Sequence, residues 1–440
     1  MTGALPVDAV QRAPRRVLIV GMNYWPEETG NAPYTTGLAE HLSRRGARVT
    51  VIAGMPYYPS WRVDDGYRRR WRLREQRNGV DIHRFRQYVP GRQSAARRAM
   101  FEATFLAHAA TVRGLDAPDL VLGVLPTLSD GVLAMTLAHR YRVPYALVVQ
   151  DLVGQSAAQS GIAGGGRVAR TTMAIEGRVA RGAARVAIVS DGFRPYLQGL
   201  GVDPARIELL PNWSHVVPSQ RSRSDVRAEL GWADGEHIVL HAGNMGLKQG
   251  LENLVNAARL AAELAPDHRF VLMGDGNQRA RLQALAAGLP NLDFLPPQPV
   301  DRFMDVLAAS DVLLVNERGT VVDMSLPSKL TSYFVAGRPV VAAVSPAGVT
   351  AREIARSAAG LTVPGDDPPA LVAILDRLRA DPALGAQLGA AGTAYAAAHL
   401  APEPLLARAE SLVETIVANR HGRISDLRDR PVGPLGVEIT

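Results

Sequence analysis

The chain is built around short runs that are apolar at nearly every position. Val17-Leu18-Ile19-Val20, Val49-Thr50-Val51-Ile52-Ala53, Leu120-Val121-Leu122, Tyr145-Ala146-Leu147-Val148-Val149 and Val186-Ala187-Ile188-Val189 recur with helical stretches between them. A strand with one face in water alternates polar and apolar side chains. A strand that is apolar throughout must bury both faces, which is the situation of a parallel sheet covered by helices on both sides. One linking stretch, Thr35 to Arg45, places Leu38 and Leu42 on a single helical face. The strand–helix–strand rhythm therefore predicts an α/β fold with a doubly wound parallel sheet.

The rhythm stops at Pro211 and the polar run Ser219 to Asp225, then restarts. Ile238-Val239-Leu240-His241-Ala242, Phe270-Val271-Leu272-Met273, Leu292-Asp293-Phe294-Leu295, Val312-Leu313-Leu314-Val315 and Val340-Val341-Ala342 are strands of a second domain of the same class, with a helix expected over Leu251 to Leu264. A length of 440 residues also exceeds what one ordinary core supports. The sequence divides into a disordered leader (1–14), a Rossmann-like domain (15–210), a second such domain (211–395), a C-terminal helix packing back towards the first domain (396–420) and a flexible tail (421–440). Ligands of such sheets bind at the carboxyl ends of the strands, so the loops after the strands should carry the chemistry, in a cleft if the two domains face each other.

Several classes fall away on composition. No apolar run approaches the ~20 residues of a membrane-spanning helix, and the absence of cysteine removes disulfides, zinc-thiolate sites and thiol catalysis. The first fourteen residues lack the continuous apolar stretch of a secretion signal, and a cytoplasmic location is expected. The net charge of +7 is concentrated: Arg62 to Arg98 holds twelve arginines against Asp64, Asp65, Glu75 and Asp81. Trp61, Tyr67, Trp71, Met100, Phe101, Phe105 and Leu106 lie among or just after them, which suits docking on anionic lipid at the inner face of the membrane. A solvated arginine-rich face is the plainer alternative. No helix-turn-helix, zinc or RNA-recognition signature accompanies the patch, so nucleic acid is not an expected partner.

Only Lys248 and Lys329 among the 49 basic residues are lysines. A compact ammonium on a flexible stem fits between phosphate oxygens where a planar guanidinium does not. Lys248 lies in His241-Ala242-Gly243-Asn244-Met245-Gly246-Leu247-Lys248-Gln249-Gly250, which follows a strand and opens a helix, as a phosphate cradle would. It has neither the Gly-Lys-Ser/Thr ending of a Walker loop nor a Gly-x-Gly-x-x-Gly fingerprint. A second glycine loop, Gly274-Asp275-Gly276-Asn277-Gln278-Arg279, follows the next strand. Lys329 lies in Leu326-Pro327-Ser328-Lys329-Leu330-Thr331-Ser332-Tyr333-Phe334, closed by Gly337-Arg338-Pro339-Val340-Val341. There Ser328 and Lys329 start a helix whose free N–H groups favour an anion.

These segments, in this order, resemble the donor domain of glycosyltransferase family 4, retaining enzymes of two-domain GT-B architecture, and the resemblance covers nearly the whole chain. Its subgroup most similar to this sequence, on Tyr24-Trp25-Pro26-Glu27, Gln150-Asp151-Leu152, Pro211-Asn212-Trp213 and Leu326-Pro327-Ser328-Lys329-Leu330, assembles colanic acid, O-antigen and other exopolysaccharides. The resemblance implies that residues 15–210 form the acceptor-side domain and 211–395 the nucleotide-sugar donor domain. It implies donor contacts from Gly30 and Asn31 in the first loop, from Gly243, Asn244 and Lys248 on the diphosphate, from Gly274, Gly276 and Arg279 beside the base, and from Ser328 and Lys329.

Two departures stand out. The family's pair of glutamates eight positions apart is replaced by Met324 and Ser332, so ribose contact falls to Ser332 or to Glu317. The family's histidine after the fourth strand is replaced in Val124-Leu125-Pro126-Thr127. The implied activity moves a sugar from a UDP- or GDP-sugar to a lipid-linked or glycan acceptor, with no cofactor and no metal. Lys248 and Lys329 stabilise the leaving diphosphate, and Asp151 orients the acceptor or stabilises the positive sugar; the alternative for Asp151 is a carboxylate that caps the following helix. Two other readings share the architecture: a nucleotide-sugar 2-epimerase and a non-catalytic nucleotide- or sugar-binding protein.

Overall fold

The computed structural model describes residues 15–91, 94–125, 127–155, 165–320 and 328–428. The expected leader 1–14, Pro126, Met324, Leu326, Pro327 and the end of the expected tail lie outside the described residues. By contacts the chain forms two compact units. Of the described residues, those within 15–148, Arg178–Ala187 and 408–428 make the first, and those within Val149–Gly177 and Ile188–Ala407 the second. The boundary expected at 210 falls inside the second unit. Local ties account for this, since Leu210 N–H donates to the Ile188 carbonyl at 2.8 Å and Asn212 Nδ2 to Gln150 Oε1 at 2.8 Å.

The described residues form two sheets. In the first, β1 (Arg16–Val20), β2 (Arg48–Gly54), β3 (Arg72–Arg77), β4 (Val80–Phe85), β5 (Leu120–Leu125), β6 (Tyr145–Val149), β7 (Arg185–Ile188) and β8 (Ile207–Leu209) take the order β3-β4-β2-β1-β5-β6-β7-β8. In β1, β5 and β6 every residue but Arg16 is buried, as their unbroken apolar runs require. The pairs β1–β2, β1–β5 and β2–β4 are parallel, while β3 pairs antiparallel with β4. The turn joining them is Asn78-Gly79, both with positive φ (47° and 78°), the conformation that a two-residue hairpin loop demands. This hairpin runs through the arginine-rich stretch, where the sequence reading placed only a basic patch.

The second sheet contains β9 (His237–Ala242), β10 (His268–Met273), β11 (Leu292–Leu295), β12 (Val312–Asn316), β13 (Val340–Ala343) and β14 (Gly360–Val363), in the order β11-β10-β9-β12-β13-β14 with every pairing parallel. The chain starts at the centre of the sheet, runs out to one edge, returns, and fills the other side. Alternate residues of the four central strands β9, β10, β12 and β13 feed different cores. Ile238, Leu240 and Ala242 of β9 join one with Val271, Leu313 and Phe334, while Val239 joins the other with Phe270, Leu272 and Leu314. Both faces are dry, and the polar ends of the strands become the places where ligands can be met.

Two assignments change. Phe101 and Phe105, read as part of a lipid-facing surface, are 0% exposed, and Arg84 is 1% exposed. The phenylalanines fall four residues apart on the helix Ala95–Ala109, with Ala109 also buried, and so form its inner face. Arg84 is occupied by Glu75 and by the carbonyls of Gly54 and Trp25. The alanine-rich end comprises two helices, Pro382–His399 and Pro402–Arg428, the second running past the expected tail start at 421. Glu410 on that last helix accepts hydrogen bonds from His41 Nε2 (3.1 Å) and Arg45 Nε (3.1 Å) of the helix Ala32–Arg44 and its cap. Among the described residues no helix is long and apolar enough to cross a membrane.

Candidate functional site

The second sheet reverses its strand order between β9 and β12, so chains leaving those two carboxyl ends go to opposite faces and open a crevice between them. The loop after β9 begins at Gly243, with φ +125°, and ends at Gly250, with φ +55°; a side chain is strained at either. At Gly274, after β10, a Cβ would lie 2.0 Å from the Gly243 carbonyl oxygen, and at Gly276 one would lie 2.5 Å from the Met245 carbonyl oxygen. Glycine is required because two loops share this space. Backbone bonds lock them together, Met245 N–H donating to Asp275 O at 2.8 Å and Gln278 N–H to Met245 O at 2.9 Å. Arg279 closes the second loop by donating to the carbonyls of Gly274 and Leu295.

Both lysines converge here. Lys329 starts the helix Lys329–Ala336, and its Nζ would be 3.5 Å from a Cβ on Gly243. That Nζ stands 3.2 Å from His241 Nε2. Protein around the ammonium disfavours its charge, and the nearby Lys248 adds repulsion, which Glu317 opposes; the pKa falls to about 7. Burial, then the charge of Lys329, holds His241 well below the usual imidazole range. The neutral ring can therefore accept a hydrogen bond from the ammonium. Tyr333 fixes the helix on the sheet, its hydroxyl accepting from Ala242 N–H at 2.8 Å and donating to the Leu314 carbonyl at 3.3 Å.

Lys248 reaches from the other side, its Nζ 3.4 Å from Glu317 Oε1 just beyond β12. Glu317 is 5% exposed, and Thr350 donates to its other oxygen at 2.7 Å. Asn316 holds the Lys248 loop by donating to the carbonyls of Gln249 (2.7 Å) and Gly250 (3.0 Å). Gly243, Gly274, Gly276, Arg279, Lys248, Lys329 and Glu317 thus form one connected cluster, with Asn244 in the same loop. Ser328 sits at the N-cap position of the Lys329 helix and is exposed, while Ser332 lies one turn further on and is 5% exposed. Asp151 sits half-buried in the bend after β6. His241, Tyr333 and Thr350 were not singled out from the sequence. His241 alone left a signal, as the one imidazole near the end of an otherwise apolar strand.

In the first unit, β1 and β5 form the corresponding reversal of order. Met22 N–H, after β1, donates to Asp130 Oδ1 at 3.0 Å, and Thr127 Oγ1 to Asp130 Oδ2 at 2.7 Å. Burial pushes that carboxyl up to about 8. Glu27 lies in the loop after β1 and accepts from Tyr57 N–H (2.8 Å), Tyr58 N–H (2.9 Å) and Asn23 Nδ2 (2.8 Å). Gly30 has φ +68° and Asn31 precedes the helix Ala32–Arg44. The first loop is therefore a rigid turn built around a buried carboxylate.

Two Rossmann-like sheets, with a glycine- and lysine-lined crevice at the reversal point of the second, define a doubly wound α/β protein. Residues 29–213 match the glycosyl transferase 4-like domain, and residues 236–381 match the glycosyl transferases group 1 domain. The chain is 33% identical over 335 residues to WcaI, a glycosyl transferase assigned to colanic acid biosynthesis in Escherichia coli, covering 73% of this chain and 81% of that protein. The chain belongs to glycosyltransferase family 4. Its fold is that of sucrose-phosphate synthase from Thermosynechococcus elongatus (TM-score 0.70, 19% identity, 92% of this chain and 100% of that one). HepE of Anabaena, in complex with UDP-glucose, shares it too (TM-score 0.66, 17% identity, 91% and 99%). These folds are GT-B.

Proposed function

We propose that this glycosyltransferase moves a sugar from a nucleoside diphosphate sugar to a lipid-linked or glycan acceptor in exopolysaccharide assembly, with retention of configuration at the anomeric carbon. The observation that carries the reading is the convergence of the only two lysines of the chain on the Gly243 loop. The colanic acid assignment of WcaI supports a polysaccharide product, and the UDP-glucose in HepE supports a UDP-sugar donor, with a GDP-sugar as the alternative.

In this reading the diphosphate lies on the loops after β9 and β10. Lys248 and Lys329 neutralise the charge that grows as the sugar–phosphate bond breaks. Asn244 lines the phosphates, which approach the backbone closely where Gly243 and Gly274 carry no side chain, and Arg279 stays with the second loop near the base. Ser328 and Ser332 lie along the helix that presents Lys329, with Ser332 or Glu317 at the ribose. In front-face attack the acceptor hydroxyl oxygen bonds to the anomeric carbon on the face the diphosphate leaves, and its proton passes to the departing phosphate oxygen. Asp151 orients the acceptor or stabilises the positive sugar, and Gly30 and Asn31 present the first loop to the donor. Charge neutralisation by side chains is the chemistry this cluster supplies, and the reading assigns no step to a metal or cofactor. The enzyme would work at the cytoplasmic face of the membrane.

The test is a thermal-shift series of nucleoside diphosphates and their sugars on wild type and Lys248→Ala. A rise in melting temperature with uridine or guanosine diphosphate, lost in the variant, supports the donor site and names the base. No response to any nucleotide would overturn the reading. Turnover of donor without an acceptor would instead mark an epimerase.

A further inference from the structure

The arginine-rich stretch of the first unit folds around a groove that the donor chemistry leaves unused. The groove has a volume of about 720 Å³ and lies between residues 61–71 ahead of β3, residues 86–91 after β4 and the helix Ala95–Ala109, a volume typical of small-molecule sites. Trp61, Trp71 and Tyr88 give it an aromatic lining, and Arg62, Arg68 and Arg86 bring three guanidinium groups to the same concavity. Trp71 is 68% exposed and Tyr88 37%.

The lining is held in place. Trp61 has φ +50°, a strained conformation for a bulky side chain. Its ring packs 5.4 Å from Tyr57 and 5.9 Å from the buried Phe101. Arg86 donates to the carbonyls of Arg68 and Arg70 and stacks 5.8 Å from the centre of the Trp71 ring. Those two acceptors use only part of its five N–H donors. Trp71 also meets the His108 ring edge-on at 5.6 Å. Arg68 shares a 2.8 Å ion pair with Asp65, which is open to solvent and weak.

We infer that this groove binds the lipid-linked acceptor at its diphosphate, with the arginines on the phosphate oxygens and the aromatic rings on the first units of the apolar chain. The inference rests on the transferase reading and names its acceptor class. Guanidinium forks match phosphate oxygens bidentately. Three of them at one concavity suit a compact dianion, whereas a bulk lipid surface would meet them spread over a flat face. Exposed tryptophan beside them suits a ligand that is charged at one end and apolar at the other.

The experiment measures binding of geranylgeranyl diphosphate to the full chain in detergent, by quenching of tryptophan fluorescence and by calorimetry. Inorganic diphosphate and phosphatidylglycerol vesicles are run alongside. The expected result is binding of the prenyl diphosphate at least tenfold tighter than inorganic diphosphate, and at least tenfold weaker in the Arg62→Glu/Trp71→Ala variant, both changes being at exposed positions. Equal affinity for inorganic diphosphate, equal binding to the vesicles, or unchanged affinity in the variant would overturn it. The thermal shift with uridine or guanosine diphosphate is recorded on the same samples. A variant that keeps the nucleotide response and also keeps prenyl diphosphate affinity removes the groove while the donor reading stands.

Discussion

Lys248 and Glu317 stand 3.4 Å apart, one delivered by the loop after β9 and the other by the end of β12. The pair bridges the strands between which the sheet reverses direction. The carboxylate is held on its far side by Thr350, so the lysine is aimed before any ligand arrives. Replacing Lys248 by alanine should weaken nucleoside diphosphate binding 10- to 100-fold, about 1.4–3 kcal/mol for one charge-assisted hydrogen bond. Titration calorimetry checks it, and a change below twofold would remove Lys248 from the donor site. Glu317→Ala provides the companion test, since unchanged donor affinity would exclude Glu317 as the ribose contact.

Lys329 should make donor binding depend on pH. Its pKa of about 7 means the empty protein loses this charge as pH rises through neutrality, and a bound diphosphate would draw the proton back. Affinity should therefore fall above about pH 7, by up to ~10-fold per pH unit. Lys329→Met should abolish the slope. A wild-type dissociation constant that is flat from pH 6.5 to 9 would contradict the assignment.

The same lysine should appear in stability. Its folded pKa lies below the unfolded value of 10.5, so between about 7 and 10.5 the unfolded chain holds the extra proton. Wild-type stability should then rise with pH relative to Lys329→Met, by at most ~1.4 kcal/mol per pH unit. Denaturant melts of both proteins at pH 7 and 9 decide it.

Gly274→Ala should disrupt the site more than a surface change of the same size. The new methyl would meet the Gly243 carbonyl at 2.0 Å, at a φ of +138°. The cost is expected to be about 3 kcal/mol or more, with loss of nucleotide response. Circular dichroism melts against Gly235→Ala, where nothing lies within 4 Å, provide the comparison.

Much of this site could be read along the chain, and the reasons are local. Gly243, Gly274 and Gly276 are visible because close backbone approach leaves few other residues usable, and Lys248 and Lys329 because lysine is so rare here. The pairing of Lys248 with Glu317 depends on which strands become neighbours, and a one-dimensional pattern does not state that. Thr350 was invisible for the same reason. Other features were present but outweighed. Asn78-Gly79 signals a hairpin, and the spacing of Phe101, Phe105 and Ala109 signals a buried helix face, yet the density of arginine drew the stretch into a single surface.

Glu410 offers a test of the last helix. Burial works against its charge, but hydrogen bonds from Arg45 and His41 hold its carboxyl below the usual range. A depressed carboxylate contributes stability above its unfolded pKa of 4.5 and loses it as pH falls through the folded value. Glu410→Gln should lower the melting temperature at pH 7, with the gap to wild type narrowing under acid. A gap that persists unchanged at pH 3 would assign the effect to packing.

Because residues 408–428 belong to the same unit as the first strands, that unit cannot be complete until those residues have left the ribosome. His41, Arg45 and Arg15 wait through synthesis for Glu410 and Glu414. A nascent chain therefore carries a finished second unit before a finished first one. Expression trials that shorten the chain from its end would lose the amino-terminal half first.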